Sequence, residues 1–125
     1  MIYEKNYKKL LHLIPDLETA NFEARKLKAD GFMDLNIDML YKEEDRTVMA
    51  LSHYYKHPSG DMIPDPDMEI AVYSERKMVE ALSYQDTFGY RTVYPEENRV
   101  NPRAKKELNA FLSLWLANLI SQGHR

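Results

Sequence analysis

Hydrophobic and polar residues alternate with a period of two along the middle of the chain, which is typical of half-buried β-strands. The apolar positions fall on every second residue over residues 33–41, and the alternation resumes over residues 47–55. A charged connector, residues 42–46, lies between these two runs. Two such strands joined by a short polar loop predict an antiparallel hairpin.

Three more strands are predicted further along the chain. Residues 68–73 and 78–84 alternate around a turn at residues 74–77, and residues 90–94 predict a short fifth strand. The segment before them, residues 57–67, contains prolines and a glycine. Because proline fixes φ and cannot donate to a strand ladder, this segment predicts a shaped loop.

A period of 3.6 residues replaces the alternation toward both ends of the chain. Residues 7–14 place their apolar side chains on one helical face, with Asn6 as the candidate N-cap. Pro15 should end this helix, because the residue before a proline is pushed out of the α region. Residues 17–29 also fit helical spacing and predict a second helix. The following Asp30 and Gly31 would cap that helix, although the same pair also favours a hairpin turn.

The closing helix has the clearest boundaries. Asn101 supplies an N-cap, Pro102 occupies the first helical position, and Gly123 is placed to terminate the helix. Its apolar face consists of Leu108, Phe111, Leu112, Trp115, Leu116 and Leu119. A face this broad predicts that the helix covers one side of the sheet, with Trp115 in the core.

These elements predict one α+β domain over residues 1–125. It has one or two N-terminal helices, an antiparallel sheet of four to five strands, and a C-terminal amphipathic helix packed on one face. A chain of 125 residues is long enough to bury a core without disulfides or metals. Its 44% hydrophobic and 11% aromatic residues argue against disorder.

Charge and composition exclude several classes of function. The net charge of −3 provides no general positive field, so nucleic acid is an unfavoured partner. No cysteine is present to form disulfides or a thiolate nucleophile. The chain has neither a membrane-spanning run nor a signal peptide, so we expect a cytoplasmic protein without a membrane partner. Phosphate-loop, dinucleotide and nucleophile-elbow motifs are absent, so no cofactor is expected.

Histidines and carboxylates concentrate in the middle of the chain. The densest set of potential ligands is His53, His57, Asp61, Asp65, Asp67 and Glu69. The spacing of Asp65, Asp67 and Glu69 resembles part of a calcium loop, but the required glycine is missing and Pro66 interrupts the pattern. Turn-forming aspartates and solvated histidines explain the set without catalysis, so it indicates a candidate ligand site and no specific metal.

Two further groups are candidates for binding. Arg99, Arg103 and Lys106 lie near the start of the closing helix, whose macrodipole also attracts anions. The alternative interpretation is a solvated basic face neutralised by Glu96, Glu97 and Glu107. Six tyrosines lie in or near the predicted strands: Tyr54, Tyr55, Tyr73, Tyr84, Tyr90 and Tyr94. They could line a groove, with Tyr84 beside the candidate ligand site, or pack beneath a helix.

Several motifs in the second half of the chain occur in the same order as in a known group of proteins. They are the His-Tyr step at residues 53–54, the Gly-Asp turn at 60–61, the Asp-Pro-Asp-Met-Glu strand start at 65–69, and the Leu-x-x-Phe-Leu-x-x-Trp-Leu helix at 108–116. On these motifs the chain resembles short uncharacterised bacterial proteins, some carried by phages and other mobile elements, and a related family of domains of unknown function. It differs from that family at Ser74-Glu75, where those proteins tend to have His-Asp. The resemblance implies a shared fold unit and no activity.

The sequence therefore predicts a small non-enzymatic binding or interaction module. Its partner is a protein or a small molecule, and a homo-oligomer is an open possibility. One alternative is a small metal-dependent enzyme centred on the segment from His53 to Asp67. The other alternative is an anion or nucleotide binder at the start of the C-terminal helix.

Overall fold

The computed structural model describes residues 1–125, which form two helices and six strands. The helices are α1 (Ile2–Leu13) and α2 (Pro102–Gln122). The strands are β1 (Ala24–Leu27), β2 (Leu35–Lys42), β3 (Thr47–Lys56), β4 (Met62–Tyr73), β5 (Met78–Asp86) and β6 (Gly89–Thr92). The fold is α+β, as the alternating and helical patterns predict.

All the strands belong to one antiparallel sheet of six strands, in the order β1 to β6. Each strand pairs with its neighbours along the chain, because short connections let consecutive strands fold against each other. The predicted hairpins are confirmed. The prediction of four to five strands is wrong, because the sheet has an additional edge strand, β1.

Strand β1 lies within the segment predicted as a second helix. Its residues pair with β2 in a register that places Leu27 opposite Leu35. Leu17, Ala20 and Leu27 are buried, as a helix would require, but Ala24 is exposed. The segment is rich in good helix formers such as Ala, Leu, Glu and Lys, but backbone pairing with the edge of the sheet outweighs this local preference.

The two helices lie against each other and pack on the same face of the sheet. The core lies between the two helices and the sheet. It includes Tyr7, Leu10, Ile37, Leu51, Met68, Ile70, Leu112 and Leu116. Trp115 is only 7% exposed, which confirms its predicted core position. Neither helix combines the length and apolar character needed to cross a membrane.

The ends of α2 form as predicted, whereas the start of α1 does not. The Asn101 side chain accepts a hydrogen bond of 3.1 Å from the backbone N–H of Ala104, and Gly123 ends the helix with φ of 87°. The N-cap prediction for Asn6 is wrong, because α1 already begins at Ile2. Asn6 is instead fully buried within α1, where its Nδ2 lies 3.5 Å from the backbone carbonyl of Asn109 in α2.

Strand β4 begins six residues earlier than the alternation indicates. It starts at Met62, so the loop between β3 and β4 covers only residues 57–61. Pairing between β4 and β5 begins at Asp67, which leaves Pro64 and Pro66 in a section that pairs with β3 alone. Proline is tolerated at such a free strand edge. The prolines therefore indicate a loop in the sequence although this half of β4 is a strand.

Candidate functional site

The sheet face opposite the helices carries side chains that the strand register aligns into rows. The central row consists of Asp38, Ala50, Glu69, Ser83 and Thr92, on β2 to β6 in turn. The row on one side consists of Asn36, Ser52, Asp67, Gln85 and Tyr90. The row on the other side consists of Tyr41, Val48, Ala71 and Glu80. We call these three rows the open face, because none of their residues belongs to the core beneath the helices.

The middle of the open face is a floor of small side chains. Val48, Ala50, Ser52 and Ala71 are each at most 8% exposed, although no helix covers them. The longer side chains around them therefore rise above the floor and shield it from solvent. A recessed floor with a raised polar rim is a shape suited to receiving an extended ligand.

At its β5 and β6 end the open face deepens into a cavity of about 370 Å³. Three aromatic side chains contribute to its wall: Tyr73, Tyr90 and Tyr94. Its charged lining residues are Arg46, Glu69, Glu80, Glu96 and Glu97. We call this cavity the tyrosine cleft. Its charged lining has more carboxylates than cations.

Glu80 is the most highly organised group of the tyrosine cleft. Its carboxylate accepts hydrogen bonds from the hydroxyl of Tyr73 at 2.8 Å and from the hydroxyl of Tyr94 at 2.9 Å. Lys105 of α2 lies 3.7 Å from the same carboxylate and donates a hydrogen bond to Tyr94. Burial and the bond to Glu80 raise the pKa of Tyr73 to about 12, and they also raise the pKa of Tyr94. Both phenols therefore stay neutral and keep donating at physiological pH.

Glu69 and Tyr90 are side chains of the cleft that have no partner within the protein. Glu69 is half-buried in the central row, and its carboxylate makes neither a side-chain hydrogen bond nor an ion pair. Tyr90 is 59% exposed at the rim. The nearby Arg46 is bound instead to Glu43, with 2.8 Å between the guanidinium and the carboxylate. Glu69 and Tyr90 are therefore free to contact a ligand.

His53 lies on the opposite side of the sheet, against α2. Its Nδ1 faces the backbone carbonyl of Asp34 at 2.8 Å, and its Nε2 accepts a hydrogen bond of 3.3 Å from the Trp115 indole. A carbonyl can only accept, so Nδ1 carries the hydrogen. Both ring nitrogens of His53 are therefore engaged: Nδ1 ties β3 to the residue before β2, and Nε2 ties β3 to α2.

The other predicted ligands of this segment are separated by the fold. His57 and Asp61 lie in the exposed loop between β3 and β4, where both interact with Ser59. Asp65 accepts a hydrogen bond from Thr87, and Asp67 accepts one of 2.9 Å from Ser52 on the open face. The structure gathers no three His, Asp or Glu side chains in the geometry of a metal site.

Tyr84 packs on the helix side of the sheet. Its ring makes an edge contact with Phe111 at 5.2 Å between centroids, and its hydroxyl donates to Asp86 at 2.9 Å. Burial, with the bond to Asp86, raises the pKa of Tyr84 to about 12. Of the predicted ligand set, Asp67 and Glu69 lie on the open face.

The predicted anion-binding residues lie on the solvent side of α2 and its preceding loop. Arg99 pairs with Glu96 at 3.6 Å, and Arg103 pairs with Glu107 at 2.9 Å. Lys106 is exposed and forms no ion pair. Two of the three cations therefore have carboxylate partners within the protein, and Lys106 has none.

Sequence reasoning allows a groove lined by tyrosines, but it does not identify the acidic side chains of the open face. The sequence groups Glu69 with the aspartates before it, and nothing in it singles out Asp38 or Glu80. The usable signal is alternation: these acids occupy the polar positions of strands whose other positions are apolar. The register between strands, including its bulges, decides which acids share a row. That register is set when the strands pair in the folded sheet.

Comparison with known proteins identifies a family but no activity. A family model described as a domain of unknown function (DUF6908) matches residues 5–125. Because the match covers nearly the whole chain, the protein belongs to this family. No curated protein and no solved structure matches the chain.

Proposed function

We propose that the protein is a non-enzymatic binding module whose recognition surface is the open face. The observation that carries this proposal is that both helices cover one side of the six-stranded sheet, while the other side ends in the tyrosine cleft. One solvated face is common in antiparallel sheets, so exposure alone would not suffice. The recessed floor and the unpartnered side chains of Glu69 and Tyr90 are the additional support, since clefts with few convergent polar groups bind ligands.

The state of the reactive side chains supports binding over catalysis. Both nitrogens of His53 are bonded within the core, and the carboxylate of Glu80 is held by two tyrosine hydroxyls. General acid or base catalysis needs such a group within reach of a substrate. In this protein, these groups instead hold structural elements together.

Site-specific photocrosslinking tests the proposal. A photoreactive phenylalanine analogue replaces Tyr90 or Tyr41 on the open face, or Leu114 on the outer side of α2 as the matched control. Leu114 is a suitable control because its side chain is 61% exposed. The variants are irradiated in the cells that naturally make the protein.

We expect one discrete crosslinked species from the two open-face positions and none from Leu114. A crosslink at Leu114 alone would place the recognition surface on α2 and contradict the proposal. No contact described above favours the metal-dependent enzyme or the anion binder, and both stay predictions. Thermal melting with divalent cations tests the first, and melting with phosphate, in wild type and in Lys106→Gln, tests the second.

A further inference from the structure

We propose that the partner of the open face is a basic polypeptide segment whose lysine or arginine side chains pair with the central row. This inference rests on the proposed function and names its partner class. The row places Asp38 and Glu69 on β2 and β4, with Ala50 between them. Neither carboxylate forms an ion pair within the protein.

The charge of the open face is one-sided. Asp67 and Glu80 add two carboxylates in the flanking rows, whose other members are uncharged. Lys105 of α2 pairs with Glu80 at 3.7 Å, and Arg46 at the border is already bound to Glu43. Lys26 lies on the edge strand, and no cation pairs with Asp38, Asp67 or Glu69. A partner that brings positive charge therefore satisfies groups that the fold leaves unpaired.

The spacing of the central row favours an extended polypeptide over a single small cation. Asp38 and Glu69 are two strands apart, which is about 10 Å at the usual spacing between strands. Three residues of a polyproline-type chain span about the same distance, and its repeat of three residues per turn puts positions i and i+3 on the same side. The small side chains of Ala50 and Ser83 let a backbone approach the floor. Cationic residues three positions apart would therefore reach both carboxylates.

The tyrosine cleft provides a second place where a cationic side chain of the partner could bind. The ring of Tyr90 is 59% exposed beside the carboxylates of Glu96 and Glu97. Aromatic faces attract ammonium and guanidinium groups. The protein already uses such contacts elsewhere, one of them with the ammonium of Lys105 5.6 Å from the centre of the Tyr94 ring.

Two other occupants are disfavoured by the same charges. A second copy of the chain, packed open face to open face, would bring the carboxylates of Asp38 and Glu69 against each other. A nucleic acid would bring phosphates against them. Both would leave like charges facing each other, whereas a basic segment neutralises them.

Titration of the full-length protein with synthetic peptides tests the inference. The probe is a fluorescent peptide of serine and glycine with arginine at every third position, and the control peptide has glutamate at those positions. Fluorescence anisotropy measures the affinity, and amide NMR shifts of the labelled protein locate the contact. The variants are Asp38→Asn and Glu69→Gln, with Asp30→Asn in the exposed loop after β1 as the matched charge control.

We expect the arginine peptide alone to bind, with amide shifts on β2 to β6. Each open-face variant should weaken binding about threefold, which is the range for a partly exposed ion pair, and Asp30→Asn should not change it. Higher salt should also weaken binding. Binding of the glutamate peptide, no binding of either peptide, or shifts confined to the helices would overturn the inference. If crosslinking at Tyr90 still captured a partner in those cases, the binding function would stand and only the basic partner would fall.

Discussion

Asn109 is the side chain through which α2 holds the free edge of β5, and its removal should be costly. Its Oδ1 accepts a hydrogen bond of 2.8 Å from the backbone N–H of Ala81, and its Nδ2 donates one of 2.7 Å to the carbonyl of Lys105. Asn109 is only 1% exposed. Since β6 pairs with β5 only from Ser83 onward, no strand supplies an acceptor at Ala81 on this edge.

The magnitude follows from the buried N–H that Asn109→Ala leaves without a partner. An unsatisfied buried donor costs about 1–3 kcal/mol, and the void left by the amide adds to that. We therefore expect the free energy of unfolding to fall by about 2–4 kcal/mol. At roughly 4 °C per kcal/mol for a domain of this size, the melting temperature should fall by about 8–16 °C.

Urea denaturation followed by circular dichroism measures this loss, and hydrogen exchange at the amide of Ala81 locates it. The matched control is Asn118→Ala, because Asn118 is exposed on the same helix. That control should be neutral or slightly stabilising, since alanine is the better helix former. Equal effects of the two substitutions, or unchanged protection of the Ala81 amide, would refute the reasoning.

Three further predictions concern the helix side of the sheet. Trp115→Ala should lower the free energy of unfolding by about 3–5 kcal/mol in urea denaturation, and an unchanged midpoint would contradict its core position. Gly123→Ala should lower the free energy of unfolding by about 1 kcal/mol in the same assay, because φ at this position is 87°. No neighbouring atom lies within 4 Å of the added Cβ, so the penalty is purely conformational. A neutral result would contradict the left-handed cap. The pKa of Tyr84 is raised to about 12 in the folded protein, whereas an unfolded tyrosine has a pKa of about 10. The stabilisation from this shift is therefore complete below about pH 10 and is lost as the pH rises through 12. Tyr84→Phe should therefore flatten the fall of the melting temperature over that window, and an identical pH profile would contradict the assignment.

The fold could be predicted where a pattern is local and long. The closing helix has a cap at each end and a broad apolar face, so its bounds follow from residues close together in the chain. Residues 17–29 could not be assigned this way, because the choice between helix and strand is made by pairing with β2. The N-cap prediction for Asn6 fails because an asparagine next to an apolar face resembles a cap in sequence, whereas in the structure it is buried against α2.

The candidate site was less predictable than the fold. Clustering along the chain drew attention to His53 and the aspartates after it, but alternation sends His53 and Asp67 to opposite faces of the sheet. The partners of Glu69 in its row, Ala50 and Ser83, are far from it in sequence. Proximity of that kind arises from register, which depends on bulges that no local pattern specifies.

Carboxyl footprinting of the free protein and of its complex with the arginine peptide is the most direct test of the central claim. A soluble carbodiimide modifies accessible carboxylates, and mass spectrometry reads the extent of modification at each site. We predict that Asp38 and Glu69 react in the free protein and are protected in the complex, while Asp30 reacts equally in both. Unreactive Asp38 and Glu69 in the free protein, or protection at Asp30 instead, would contradict the account.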